Sequence, residues 1–345
     1  MNSNDHFMQR CFQLAQLGFG NVSPNPMVGA VIVHNGKIIG EGFHQKFGEA
    51  HAEVNAVNSV KDSSLLKEST IFVSLEPCAH HGKTPPCADL LVKHQFKKVV
   101  ISCKDTFTEV SGKGIQRLQE AGIEVEVGVL EKEGRSLNKR FFTFHEQKRP
   151  YIILKWAQTK DGLMDKKRSP NETGIHWITQ PSTKQLVHKW RSEESAILVG
   201  KNTAINDNPS LTVRNWTGSN PLRILLDSNL EVPVSAKLLD NFTKTIIFNT
   251  LKSEINTNNQ YVQLESLSPQ SILNTLYNFK IQSIIIEGGF QTLNSFISEN
   301  LWDEARVLTG DVEFQDGVLA PKLGDQYLIS RSKVGSDRLE IFENR

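Results

Sequence analysis

Thr70-Ile71-Phe72-Val73-Ser74-Leu75 is a mostly apolar run that leads directly into Glu76-Pro77-Cys78, and eight residues separate Cys78 from a second Pro-Cys pair, Pro86-Cys87. A short apolar run bounded by proline turn signals reads as a buried strand. Working outward, His51-Ala52-Glu53 opens a helical pattern that reaches about Val60, and a second helix is predicted from Pro86 to about His94. Strand Lys98–Ser102, helix Gly114–Ala121 and strand Ile123–Val129 follow. Upstream, Asp5–Gly18 carries Phe7, Met8, Cys11, Phe12 and Ala15 at helical spacing, and Ser23-Pro24-Asn25-Pro26 forms a stiff loop before strand Val28–Val33. Asn35-Gly36 is a two-residue hairpin signal leading into Lys37–Glu41. The later strands alternate with helices, which predicts an α/β domain with a largely parallel sheet between helical layers. Open sheets of this kind gather ligands beyond the carboxyl ends of their strands, and His51, Cys78 and Cys87 fall there.

One imidazole, two thiols and a nearby carboxylate at this spacing describe a catalytic zinc site. A structural zinc takes four protein ligands, whereas three leave a fourth position for water. The expected ligands are His51, Cys78 and Cys87. Glu53 lies two residues beyond His51, and residues i and i+2 do not share a helix face. That suits a general acid/base beside the metal and not on it. Each cysteine follows a proline at the start of a turn or helix, where backbone N–H groups favour a thiolate. Zinc deaminases carry H-x-E…P-C-x-x-C; the first half of that pattern is matched here and the second is stretched. Taken singly, the two thiols are small core hydrophobes; together with His51 and Glu53 they point to the metal. His80 and His81, inside the stretched loop, read as substrate contacts or solvated side chains.

The chain has 345 residues, enough for two domains that each bury a core. A net charge of +1 gives no basic field for nucleic acid. No run approaches the length of a membrane span, and Met1–Arg10 is polar, so a soluble, cytoplasmic protein without membrane or nucleic-acid partners is expected. Of four cysteines, Cys11 and Cys103 sit in apolar patterns and read as structural, in keeping with a reducing compartment.

Leu130–Arg149 is polar and basic around an aromatic cluster and reads as a helix plus linker ending near Pro150. Strand Tyr151–Trp156 then opens a second domain, followed by a turn at Thr159-Lys160-Asp161-Gly162, a helix Pro181–Arg191 and buried strands Ala196–Val199, Leu222–Leu226 and Thr245–Phe248. Ser283–Ile286 runs into Glu287-Gly288-Gly289-Phe290-Gln291-Thr292-Leu293, a glycine turn opening a helix, and such helix starts bind phosphate. No G-x-G-x-x-G occurs, so a Rossmann dinucleotide site is not indicated.

Pro24-Asn25-Pro26-Met27-Val28-Gly29, Gly48-Glu49-Ala50-His51-Ala52-Glu53 and the stretch from Leu75 to Cys87 resemble the deaminase half of the RibD family, bifunctional deaminase/reductases of riboflavin biosynthesis. Trp177-Ile178-Thr179, Arg191, Ile197–Gly200, Thr203, Asp207 and Asn208–Arg214 resemble its reductase half. The resemblance implies an N-terminal cytidine-deaminase-like three-layer α/β/α domain, residues 1–146, and a dihydrofolate-reductase-like α/β domain, residues 147–345. It implies Zn2+ on His51, Cys78 and Cys87, proton transfer by Glu53, and substrate contacts from Asn25 and Lys83. In the second half it implies NADPH contacts from Gln158, Trp177, Thr203, Asp207, Ser228 and the turn and helix Gly289, Phe290, Gln291, Thr292, Leu293, Asn294 and Ser295. Ile175, Arg191, Leu211, Arg214 and Glu287 are then expected at the substrate, the arginines suiting its phosphate.

The implied function is deamination of 2,5-diamino-6-ribosylamino-4(3H)-pyrimidinone 5′-phosphate followed by NADPH reduction of the ribosyl chain to ribityl, in a homo-oligomer. The sequence departs from the family at Ile175, where a serine is usual, at Gln158, where a small residue is usual, and in extra residues over Lys166–Thr173. Two other classes remain open on sequence. One is a nucleoside or tRNA deaminase with a C-terminal domain that only binds; the other is a zinc-stabilised binding protein without catalysis.

Overall fold

The computed structural model describes residues 3–79, 85–106, 111–169, 172–324 and 326–344, and the chain divides into two units, Met1–Gln147 and Lys148–Arg345. The first contains Ser3–Gln16 (α1), Gly29–His34 (β1), Lys37–Phe43 (β2), Ala52–Asn58 (α2), Thr70–Leu75 (β3), Cys87–Lys93 (α3), Lys98–Cys103 (β4), Lys113–Glu120 (α4), Glu124–Val127 (β5), Glu131–Leu137 (α5) and Lys139–Gln147 (α6). Its sheet runs β2-β1-β3-β4-β5. β3, β4 and β5 are parallel, but β1 is antiparallel to both β2 and β3. The largely parallel sheet expected from the sequence is therefore a mixed one. The Asn35-Gly36 turn, both residues at positive φ, folds β2 back on β1, and only the strands that alternate with helices run parallel.

Apolar residues alternate to both faces of this sheet. Ile32, Val73, Val99 and Ile101 meet Ala52, Ala56, Leu91 and Leu118 on one side. Val31, Val33, Phe72 and Val100 meet Met8, Cys11, Phe12 and Leu14 of α1 on the other. The result is a three-layer α/β/α unit. Gly29 lets α1 lie directly on β1: a Cβ there would stand 2.0 Å from the Cys11 carbonyl oxygen.

Residues 130–149 are not a helix plus linker. They form α5 and α6, with Phe141, Phe142 and Phe144 buried. Arg140, one of the basic residues of that reading, covers aromatic surface instead, as does Arg135: their guanidiniums lie 4.7 and 4.2 Å from the centroids of Phe19 and Phe142. Between the helices, the Asn138 side chain is buried and makes two 2.8 Å hydrogen bonds with the backbone N–H and C=O of Met27.

The second unit contains Tyr151–Gln158 (β6), Leu163–Lys166 (β7), Pro181–Glu193 (α7), Ala196–Gly200 (β8), Lys201–Asp207 (α8), Leu222–Leu226 (β9), Thr245–Asn249 (β10), Glu254–Asn256 (β11), Asn259–Gln263 (β12), Pro269–Asn278 (α9), Ser283–Ile286 (β13), Phe290–Ser298 (α10), Glu304–Thr309 (β14), Gly317–Leu319 (β15), Gln326–Val334 (β16) and Asp337–Asn344 (β17). Among the described residues a ten-stranded sheet runs β11-β12-β10-β9-β8-β13-β6-β14-β17-β16. From β12 to β14 the neighbours are all parallel, while β11, β17 and β16 are antiparallel additions. Ile152, Leu154, Leu198, Ile224, Phe248 and Ile286 fill one face under α9 and α10, whose Ile272, Leu276, Leu293 and Phe296 complete that core. No helix among the described residues is long and apolar enough to cross a membrane.

Candidate active sites

At the carboxyl end of β3 the chain delivers Cys78, while His51 is the residue before α2 and Cys87 is the first residue of α3. Among the described residues, His51, Cys78 and Cys87 form a cluster whose donor atoms all lie within 4.8 Å of one another. His51 Nδ1 is 3.6 Å from Cys78 Sγ and 3.3 Å from Cys87 Sγ. Tetrahedral zinc with Zn–S of ~2.3 Å and Zn–N of ~2.0–2.1 Å needs N···S edges of about 3.6 Å. The donor set and its spacing therefore fit zinc.

Cys78 Sγ also accepts the Cys87 backbone N–H at 3.3 Å. Its hydrogen bonds with Cys87 and His51 hold its thiol well below the ordinary value, whereas the Cys78 bond and burial hold Cys87 above it. A bound metal deprotonates coordinating thiols outright. Glu53 is buried, and burial, followed by the charge of Cys78, pushes its carboxyl up to about 7. A carboxyl near neutrality is suited to taking up and releasing a proton.

Asn25 is half-buried and its side-chain nitrogen lies 3.1 Å from His44 Nε2. His44 Nδ1 faces the Ala50 carbonyl at 3.0 Å, so Nδ1 carries the proton. Burial lowers the pKa of this imidazole, and with the proton on Nδ1, Nε2 is the ring atom that accepts from the Asn25 amide. The amide orientation of Asn25 is thus fixed by a histidine that the sequence reading did not single out. Lys83, His80 and His81 lie outside the described residues.

Glu76 is another residue missed on sequence. It is buried, and its carboxylate accepts backbone N–H groups of Asp105, Gly112, Gly114 and Ile115 at 3.0–3.3 Å. Those bonds tie the segment carrying Cys78 to the start of α4. Gly114 permits the approach, since a Cβ there would stand 2.0 Å from the Pro77 carbonyl oxygen. Gly114→Ala is expected to destabilise the first unit by about 1–3 kcal/mol and to weaken zinc binding, read by thermal unfolding and by competition with a chromogenic chelator.

In the second unit Gln158 ends β6, Ser228 lies just past β9, and Glu287 and Gly289 lie just past β13. Glu287 follows β13, and its side chain is 9% exposed. It pairs with Arg191 of α7 through Nη2–Oε2 at 2.7 Å and Nε–Oε1 at 3.1 Å, and with Lys155 of β6 at 3.8 Å. Burial alone would raise the Glu287 carboxyl, but Arg191 and then Lys155 outweigh it and hold it at about 2. Lys155, missed on sequence, is a buried lysine whose pKa burial lowers; a lone charge inside the apolar run Tyr151–Trp156 was the available signal. Arg214 donates its backbone N–H to His188 Nδ1 at 3.1 Å and its guanidinium to Thr212 Oγ1 at 3.0 Å.

Gly289 N–H donates to Thr203 Oγ1 at 3.0 Å, and Gly289 caps α10 without a side-chain hydrogen bond. The first N–H groups of α10 then have no intrahelical acceptor and suit an anion such as a dinucleotide phosphate. Cβ atoms at Gly200 and Gly288 would stand 2.6 and 2.9 Å from Thr292, so β8 and β13 both end against this helix. These features fit NADPH. Phe290, Gln291 and Asn294 are exposed, Thr292 and Ser295 half-buried. Leu293 and Leu211 bury their side chains in separate cores, leaving only backbone for a ligand. Leu211 sits at φ 54, a strained conformation for a leucine. Trp177 is 56% exposed with the Lys184 ammonium 4.3 Å from its ring centroid, and Ile175 is 43% exposed. Gln158 accepts the Trp156 indole N–H at 2.9 Å, and Ser228 is exposed just past β9. Asp207 pairs with Arg168 at 2.9 Å.

The chain is similar to known proteins over both units. Residues 1–103 match the cytidine and deoxycytidylate deaminase zinc-binding region, and residues 150–311 match the RibD C-terminal domain. The riboflavin biosynthesis protein RibD of Aquifex aeolicus is 40% identical over 342 residues, covering 97% of this chain and 94% of that protein. RibD of Bacillus amyloliquefaciens is 38% identical, covering 92% and 87%. The crystal structure of a diaminohydroxyphosphoribosylaminopyrimidine deaminase/5-amino-6-(5-phosphoribosylamino)uracil reductase from Thermotoga maritima is similar at a TM-score of 0.89 and 35% identity, covering 99% of each chain.

Proposed function

The chain belongs to the RibD family of riboflavin-biosynthesis proteins, and on that premise we propose how its residues divide the work of two reactions. It is a bifunctional enzyme, a zinc-dependent deaminase and an NADPH-dependent reductase. The first reaction removes the amino group of a diaminohydroxyphosphoribosylaminopyrimidine, and the second reduces the ribosyl side chain of the product. We assign deamination to residues 1–146 and reduction to residues 147–345.

His51, Cys78 and Cys87 are the residues that would hold zinc, which when bound supplies Lewis acidity toward water. The Glu53 carboxylate takes a proton from the attacking water and passes it to the departing nitrogen, so ammonia leaves as a neutral molecule. Asn25, oriented by His44, presents its amide to the pyrimidine, and Lys83 meets the phosphate. The observation that carries this half is the three donor atoms within 4.8 Å beside a buried carboxyl.

In the second half NADPH, when bound, supplies the hydride. Thr203 and the start of α10 hold its phosphates, with Gln158, Trp177, Asp207 and Ser228 along its length. Arg191 and Arg214 bind the substrate phosphate, and Glu287 fixes Arg191 in a fork geometry. Leu211 contributes backbone, and Ile175 offers an apolar surface where a hydroxyl is usual. The match of residues 150–311 to a reductase domain favours this reading over a deaminase with a binding-only C-terminal half. Self-association belongs to the same reading, supported by exposed Tyr327, Leu328 and Ile329 on the edge strand β16.

The test separates the two halves. Diaminopyrimidine phosphate supplied with and without NADPH is expected to release ammonia in both cases and to consume reduced nicotinamide only when NADPH is present. Removing zinc with a chelator should abolish ammonia release, yet NADPH oxidation should persist when the deaminated intermediate is supplied. Ammonia release that survives complete metal removal would refute the zinc assignment.

A further inference from the structure

Arg168 lies in the segment after β7, and its side chain is 13% exposed. All three branches of its guanidinium are engaged. Nε donates to Asp165 Oδ2 at 2.7 Å, Nη2 to Asp207 Oδ1 at 2.9 Å and Nη1 to the Gly174 carbonyl at 2.9 Å. Gly174 in turn donates its N–H to the Asn206 carbonyl of α8 at 2.7 Å. Arg168 therefore ties β7, the end of α8 and the backbone at Gly174 into one knot. His176 adds a bond from Nδ1 to the second oxygen of Asp165 at 2.7 Å.

A few residues on, the chain is pinned again: a Cβ at Gly310, past β14, would stand 2.0 Å from the Ile178 carbonyl oxygen. Residues 174–178 are thus held at both ends, yet the apolar side chains of Ile175 and Trp177 are 43% and 56% exposed. A fixed backbone presenting two large apolar side chains to solvent is the arrangement of a wall built for a ligand. Asp207 faces the same question from the electrostatic side. A bare carboxylate would repel an anionic cofactor, and Arg168 neutralises it by pairing.

We propose that Arg168 is a positioning residue of the reductase half: by clamping Asp165, Asp207 and Gly174 it holds Ile175 and Trp177 as an apolar wall for NADPH and the sugar substrate. The clamp rests on the reading that Trp177 meets NADPH. It acts through Gly174 and Asp207, not by contact with reacting atoms. Lysine does not replace it, because one ammonium cannot fork to two carboxylates and a carbonyl in one plane.

The experiment uses the full chain and the variants R168M, R168K and W177A. NADPH affinity is read from nicotinamide fluorescence, hydrogen exchange of residues 174–178 is read without cofactor, and ammonia release reports on the other half. R168M is expected to weaken NADPH binding about tenfold, to speed exchange of the Gly174 amide and to leave ammonia release within about twofold of the parent. R168K should fall between R168M and the parent in both affinity and exchange. If W177A weakens binding while R168M changes neither affinity nor exchange, the clamp is wrong and the Trp177 reading stands. If W177A leaves affinity unchanged, the Trp177 reading fails and the clamp with it. Should R168M lose the folded reductase half, R168K decides: parental affinity and exchange in R168K overturn the proposal.

Discussion

Replacing Glu53 with Gln is expected to slow ammonia release by about 10²–10⁴-fold while zinc content and NADPH oxidation of the deaminated intermediate stay at parental levels. The amide keeps the size of the carboxyl and cannot carry a proton between water and leaving group. None of the three metal donors is touched, and Glu53 belongs to a unit that ends at Gln147. Burial places the Glu53 carboxyl at about 7, so the parent has a group able to hold the proton in transit near neutral pH. Steady-state ammonia assays with metal analysis on the same preparation check this. E53Q activity within about tenfold of the parent sinks the proton-transfer assignment.

The second large effect is expected at Glu287. One carboxylate faces Arg191 and Lys155, and its replacement by Gln leaves two cations in a largely buried site. Stripping one partner from such a cluster costs about 3–5 kcal/mol. A carboxyl held at about 2 rather than 4.5 corresponds to about 3 kcal/mol. The sign follows from the direction of the shift. The folded value is depressed, so the contribution is fully present above the ordinary carboxylate pKa and is lost as pH falls through about 2. E287Q should therefore unfold at lower temperature near neutrality, and its stability should fall less than the parent's between about pH 5 and pH 2. Reductase kcat/KM should fall as well, with ammonia release retained. Parallel stability–pH curves for E287Q and parent would remove Glu287 from its assigned place.

The metal donors were legible because their chemistry is carried by residue type and spacing: few patterns other than a metal site need a histidine, two proline-led cysteines and a carboxylate two residues from the histidine. The strands were legible because Thr70–Leu75, Leu222–Leu226 and Ser283–Ile286 are short runs dominated by apolar residues on both faces, the pattern of strands between helical layers, although Leu222–Leu226 also buries Arg223. What stayed hidden depends on partners distant in sequence. Glu76 reads as an ordinary acid next to Pro-Cys until the folded chain brings four backbone N–H groups to it. His44 gains its role only from Ala50 and Asn25 on either side of its ring. The helices of residues 131–147 were obscured because arginines covering aromatic rings look, in one dimension, like a solvated linker. β14–β17 lie beyond the last motif read, and β16 is exposed along most of its length, so it lacks the apolar pattern that marks the inner strands.

Asn138 joins the loop at Met27 across 111 positions of chain. During synthesis, every proposed zinc donor has left the ribosome well before the residue that fastens the Asn25 loop. A protein shortened after β5 would keep His51, Glu53, Cys78 and Cys87 and would still lose that fastening, together with the aromatic side chains of α6. Such a fragment should take up zinc yet turn over poorly, so a minimal deaminase has to be cut after Gln147 and not at the last strand of its sheet.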